Sequence, residues 1–195
     1  MPSEFLVYLR LGFEHISDLK GYDHILFIVA LCAVYQFKAW KHILWLVTAF
    51  TVGHSVTLAL ATLRLVTIDG NLVEVLIPVT IFVTSLIDIA APAELQQARA
   101  ARYKYGLALG FGLIHGLGFS NFLRAVLGGE ESIVLPLFSF NVGLELGQIA
   151  IVFAVLTFSA VMVDLVRMKA RDWILVLSGA TAGVSLLMII ERLTT

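Results

Sequence analysis

Seven ionisable residues stand inside otherwise apolar stretches of this chain: Asp23, His24, His54, Glu74, Asp88, His115 and Glu145. Asn141 and Gln148 accompany them as neutral polar residues. An ionisable group surrounded by hydrocarbon is costly, so each asks for a partner or a task. Three histidines with carboxylates nearby are a ligand set for a borderline divalent ion. Neutral imidazole suits Zn²⁺, Ni²⁺ or Co²⁺, and a carboxylate adds compensating charge. Asp23, Ser55, Asn141 and Gln148 have the chemistry to orient the rings from behind. The single cysteine, Cys32, excludes a multi-cysteine cluster and an internal disulfide framework, so nitrogen and oxygen must do the holding.

The elements that must position these groups are helices in a bilayer. Hydrophobic residues make up 59% of the 195 positions and charged residues 14%. Mean hydropathy is +0.95. A water-facing surface needs more charge than this. The net charge of −1 leaves no basic footprint for nucleic acid. The N-terminus carries charges within its apolar pattern and lacks a small-residue cleavage site, so no secretory signal peptide is expected. Six apolar segments, roughly 22–37, 42–66, 72–92, 103–127, 132–164 and 172–191, approach the length a spanning helix needs. Pro136, near the start of the fifth, is expected to break or tilt its first turn. Residues 4–16 mix apolar positions with Glu4, Arg10 and Glu14, as a short amphipathic helix at the interface would. The expected fold is therefore all-α: a polytopic membrane protein of about six transmembrane helices plus a short N-terminal amphipathic helix. Residues 1–20 are the interfacial segment and 21–195 a single transmembrane domain, with no convincing internal repeat.

Charge between the segments sets the orientation. Lys38, Lys41, Arg99, Arg102, Lys104, Arg167, Lys169 and Arg171 fall on one side; Arg10, Lys20, Arg64, Arg124 and Arg192 fall on the other. The richer side is cytoplasmic by the positive-inside rule, which places both termini outside, in a bacterial inner membrane. At 1.5 Å per residue, His54 and His115 then both lie about 18 Å from the inner face, and Asn141 lies about 15 Å down from the outer one. Asp23, His24 and Glu74 sit at outer helix ends. Five helices thus bring polar groups to the outer half of the bilayer. Positions 141, 145 and 148 share one helical face. His15, on the amphipathic segment, either caps this site or faces water. His42, beside Lys41, is expected at the interface, as is Asp88 before the inner loop. Pairs of glycines four apart (106/110, 112/116, 143/147 and 179/183) are expected to pack helices closely. The phenylalanine and leucine runs are expected to face lipid.

The segment HISDLKGYDHILF (15–27) resembles the His-spacer-Gly-x-Asp-His signature of the HupE/UreJ family, hydrogenase and urease accessory membrane proteins. FTVGHSVTL (50–58), Val73-Glu74-x-x-Ile77, FGLIHGLGFS (111–120) and FNVGLELGQ (140–148) resemble further family pieces, in order and over nearly the whole chain. Pro78 and Thr80 stand where small residues or serine are expected after Val-Glu. The resemblance implies six to seven helices and a nickel or cobalt permease. It also implies that His15, Asp23, His24, His54, Glu74, His115, Asn141, Glu145 and Gln148 are the family's polar positions. The candidate metal residues are therefore His24, His54, His115, Asp23, Glu74, His15, Asn141 and Glu145, with Ser55 and Gln148 supporting them.

Three functions fit. A transporter would hold the ion at His54, His115 and Asn141 below an outer vestibule of His15, Asp23, His24 and Glu74, with Glu145, Gln148, Ser85 and Asp88 leading inward. An intramembrane zinc hydrolase would use three histidines and a metal-bound water, with Asp23, Glu74 or Glu145 as general base. An accessory scaffold would hold a closed, metal-stabilised site. The expected partners are a divalent transition metal (nickel, cobalt or zinc) and the lipid bilayer; a homo-oligomer stays open.

Overall fold

Hydrocarbon offers the backbone no hydrogen-bond partner, so long apolar stretches satisfy their N–H and C=O groups internally, as helices. A computed structural model of the chain describes residues 3–90, 100–127 and 132–194, and these are all helix and connecting turn. Helix α1 is Glu4–Ser17 and α2 is Asp23–Cys32. A 3-10 turn at Phe37–Ala39 leads into α3, Trp40–Thr62. Next come α4, Gly70–Ala90, α5, Ala100–Gly118, and α6, Ser120–Leu127. Helix α7, Val134–Ala160, passes into a π turn at Val161–Leu165, and α8 is Ala170–Thr194.

Four stretches among the described residues are long and apolar enough to cross a bilayer: Phe37–Thr62, Gly70–Ala90, Val134–Leu165 and Ala170–Thr194. They mark an integral membrane protein. The expected spans at 22–37 and 103–127 are not single long apolar helices. Helix α2 has 10 residues, about 15 Å, half of what a bilayer core needs. The 103–127 stretch is divided at Phe119 between α5 and α6. Pro136 breaks nothing. It is the third residue of α7, in the first turn, where its missing N–H has no intrahelical partner to lose. Of the charges expected between spans, Glu94, Arg99, Glu130 and Glu131 lie outside the described residues. Lys104 is not in a loop at all; it sits inside α5 and is 4% exposed.

Two helix pairs share one packing device. A Cβ on Gly53 would run into the backbone of Leu109 and Leu113, and one on Gly112 into the backbone of Phe50 and His54. Gly116 meets the carbonyl of His54. The contacts advance together along the two helices, so α3 and α5 are parallel. Helices α1 and α7 repeat this: Gly12 meets Phe140 and Leu144, Gly143 meets Leu9 and Phe13, and Gly147 meets Ile16 and Phe13. They too are parallel. The Gly-Leu-x-x-Gly segments at 112–116 and 143–147 play equivalent parts, a repeat that the sequence alone does not make convincing. The pairs run in opposite directions. The start of α7 stacks on the end of α5, Phe140 on Phe119 with centroids 5.3 Å apart. Further along, Phe153 of α7 meets Phe37, just before α3.

Helix α1 forms where the amphipathic segment was expected, but it lies lengthwise on α7, burying Tyr8, Gly12 and Ile16. Helix α2 follows it in the same direction. The break between them is an Asx turn, with the Lys20 N–H bonded to Asp18 Oδ1 at 2.9 Å. Helix α4 runs against both α5 and α8: Thr80 meets His115 and Asp88 meets Lys104, while Glu74 meets Arg192 and Ser85 meets Thr181. The other glycine pairs pack no helices together among the described residues. A Cβ at Gly106, Gly110, Gly179 or Gly183 has nothing within 4 Å.

Candidate metal centre

The break between α1 and α2 puts two histidines at helix ends, and α3 supplies a third from its middle. His15 lies in the last turn of α1, His24 is the second residue of α2, and His54 is in α3. Each offers a ring nitrogen, and the three ligand atoms lie within 4.8 Å of one another. His24 is 5% exposed and His54 0%. The ring centroids of His15 and His24 are 4.7 Å apart, and His54 is 5.9 Å from each.

Asp23 fixes one of these rings. Its Oδ1 accepts the His24 backbone N–H at 2.8 Å and lies 2.9 Å from His24 Nδ1. With Nδ1 donating to the carboxylate, Nε2 carries the free lone pair. This is the carboxylate–histidine arrangement that holds a ligand's tautomer and raises its basicity. His24 Nε2 is buried without a hydrogen-bond partner among the described residues, as are His15 Nε2 and both nitrogens of His54. Buried polar atoms left unpaired each cost on the order of 1–3 kcal/mol. A divalent ion in their midst would satisfy them, and three imidazoles are a fitting donor set.

His115 adjoins the triad without joining it. Its ring is 5.1 Å from that of His24, and its Nε2 is 3.2 Å from Thr80 Oγ1. The α7 residues are held by α3: Thr48 donates to Glu145 at 2.6 Å and Thr51 to Gln148 at 2.7 Å. Ser55 donates to the Thr51 carbonyl of its own helix. Asn141 Oδ1 is buried without a partner among the described residues. Glu74 is not brought to the cluster. It is exposed and ion-paired with Arg192 of α8 at 2.8 Å, because α8 runs back along α4 and delivers an arginine to its N-terminal end. His42 is exposed, 3.4 Å from the Tyr105 hydroxyl, as its place beside Lys41 predicts.

Phenylalanines are expected to face lipid, and Phe138, Phe153 and Phe158 are exposed, but four others are not placed so. Instead, the Phe119 ring lies 3.8 Å from His15, Phe50 lies 5.1 Å from His115, and Phe27 lies 5.2 Å from His115. Phe140 is 5.6 Å from His15. Phe27, Phe50 and Phe140 are at most 1% exposed. These rings wall the cluster off from water. Their signal in the sequence is proximity to the polar motifs: Phe27 is one turn past His24, Phe50 one turn before His54, and Phe140 precedes Asn141. Asp88, expected at the interface, is 0% exposed and bonded to Lys104 at 2.6 Å. The sequence also offered a signal for this, since Thr80, Thr84 and Asp88 repeat every four residues on one face of α4.

Asp23→Asn is expected to weaken metal binding about 10–100-fold while leaving the fold intact, since a ligand's carboxylate support carries that much. Metal titration of the variant alongside its thermal melt checks this. Unchanged affinity would make the Asp23–His24 contact purely structural.

No curated protein and no solved structure matches this chain. The family model described as HupE / UreJ protein matches residues 1–192, nearly its whole length, and the chain therefore belongs to the HupE/UreJ family.

Proposed function

We propose that this protein carries a divalent transition-metal ion, nickel or cobalt foremost, across a bacterial inner membrane. His15, His24 and His54 bind the ion as substrate, and His115 lies next to His24 as a further donor on the way through. The observation that carries this reading is the three-histidine cluster at a helix break in the interior of a membrane protein, with ligand atoms within 4.8 Å. Transporters bind substrate near mid-bilayer where a spanning helix is interrupted, and many are built from repeats of opposite direction. The α1–α2 break and the oppositely running α1/α7 and α3/α5 pairs fit both features.

In this reading α1 and α2 together form one broken span of about 36 Å at 1.5 Å per residue. Helices α3, α4, α5 with α6, α7 and α8 supply the remaining five of six crossings. Both termini then face outside, and Lys38, Lys41, Arg167, Lys169 and Arg171 gather at the cytoplasmic end, as the positive-inside rule asks.

A three-histidine set is also the donor set of a catalytic zinc. A hydrolase needs a carboxylate free to serve as base beside the metal-bound water. Asp23 is engaged with His24, Glu145 with Thr48, and Glu74 with Arg192. This favours the transporter. The test is uptake of nickel or cobalt by proteoliposomes of the purified protein, with bound metal quantified by elemental mass spectrometry. Saturable uptake that needs His24 and His54 supports the proposal. One zinc per chain, retained through purification without any flux, would replace it with the hydrolase.

A further inference from the structure

At the opposite end of the bundle from the histidines, Asp88 of α4 and Lys104 of α5 form an ion pair of 2.6 Å. The two residues are 0% and 4% exposed. Burying both charges costs several kcal/mol per ion, and such a pair adds little stability over well-packed apolar residues. In a membrane interior it marks a task. Only one carboxylate oxygen is used. Asp88 Oδ2 is buried without a partner among the described residues. Beside the pair is a cavity of about 10 Å³ lined by Leu31, Thr84, Ile87, Asp88, Lys104 and Leu107, the volume a single water needs.

The pair has polar connections on both sides. Toward the cluster, Thr80, Thr84 and Asp88 are all buried on one face of α4. Thr84 donates to the Thr80 carbonyl at 2.8 Å, and Thr80 Oγ1 reaches His115 at 3.2 Å. From Asp88 to Thr80 this stripe covers about 12 Å. Toward the other side is a cavity of about 480 Å³, lined among others by Tyr35, Lys38, His42, Asp164 and Arg171. Two of its lining residues touch the pair. The Lys104 ammonium sits 5.4 Å over the Tyr35 ring, and the Arg171 guanidinium donates to the backbone carbonyls of Asp88 and Ile89. Cys32 of α2 is a further titratable neighbour. From α8, Ser85 meets the Thr181 hydroxyl at 2.7 Å.

We propose that the Asp88–Lys104 pair is a proton-exchange site that couples metal movement to a proton gradient. As ammonium and carboxylate the pair is neutral. A hydronium from the large cavity gives its proton to Asp88 Oδ2 and leaves as water, and the pair becomes an ammonium beside a carboxylic acid with one net positive charge. Release of that proton to water on the histidine side, toward which the Thr84–Thr80 stripe leads, restores the neutral pair. Arrival of a divalent cation at the histidines, across a low-dielectric interior, favours the neutral state, so metal moving one way expels a proton the other way. This rests on the transport reading above.

The test uses the full-length protein in proteoliposomes, with nickel uptake and internal pH followed together. Wild-type uptake is expected to accelerate in an imposed pH gradient and to move protons against nickel. Asp88→Asn beside an intact Lys104 fixes the single positive charge of the protonated pair, so it is expected to bind nickel more weakly than the wild type and to lose gradient-driven uptake by about tenfold or more. Asp88→Asn/Lys104→Met removes both charges, so that no lysine is left unpaired, and is expected to keep wild-type nickel affinity while losing gradient-driven uptake to the same extent. Coupling that survives in either folded variant overturns the inference, as does failure of both to fold, which would make the pair a structural tie. Wild-type nickel flux that ignores the pH gradient overturns this inference alone. No wild-type flux of any metal overturns the transport reading and this inference with it.

Discussion

His24→Ala is expected to lower metal affinity by at least about a hundredfold, more than the 10–100-fold that loss of a supporting residue costs. His24 stands at the centre of the constellation. It contacts His15, His54 and His115, and its Nδ1 is held by Asp23, leaving Nε2 for the ion. His54→Ala should come close to it, because both nitrogens of that ring are buried without a partner among the described residues. His115→Ala should cost less, about tenfold, since one of its nitrogens is engaged by Thr80. His42→Ala should change nothing, its ring being exposed at the far end of α3. Metal titrations of the four variants read this order directly. Equal affinity in His24→Ala and His42→Ala would dissolve the site.

Gly112→Leu is expected to destabilise the protein by about 3 kcal/mol or more, at or above the upper end for overpacking. The added atoms would meet the backbone of Phe50 and His54, which no rotamer change can move aside. Prising α5 from α3 also disturbs His54, whose own backbone is part of the contact. Gly179→Leu is the control. It belongs to the same four-residue spacing, but a Cβ there has nothing within 4 Å, and the change should stay within about 0.5 kcal/mol. Thermal melts in detergent separate the two. Equal damage at both positions would mean that the α3–α5 contact is not as described.

The glycine contrast shows where reading along the chain stops. All four pairs have the spacing that lets helices approach, and the sequence cannot say which of them meet a neighbour. Spacing is a property of one helix, whereas contact depends on the rotation of two. Gly112 and Gly116 face α3, and Gly143 and Gly147 face α1, while Gly106, Gly110, Gly179 and Gly183 face outward. The same limit governs the carboxylates. Glu74 and Asp88 lie on one helix, and the sequence makes Glu74 a candidate ligand and Asp88 an interfacial carboxylate. Glu74 is claimed by Arg192, 118 positions later, and Asp88 by Lys104.

By itself the sequence determined that the chain is helical, that it belongs in a membrane, and which polar residues are too deep in apolar segments to be incidental. These follow from local cost: a stretch of hydrocarbon side chains forces helix formation, and a histidine within it must be satisfied. It also carried the family, through motifs spread over nearly its full length. Only the tertiary structure decided that His15 joins His24 and His54 rather than facing water, and that α1 and α2 follow each other across a break. It also decided that phenylalanines wall the cluster and that Lys104 is buried against Asp88. The reason is that each of these outcomes depends on which helix faces meet. In a membrane that choice is made by glycine-scale fit between backbones far apart in sequence, and a pattern read one helix at a time does not contain it.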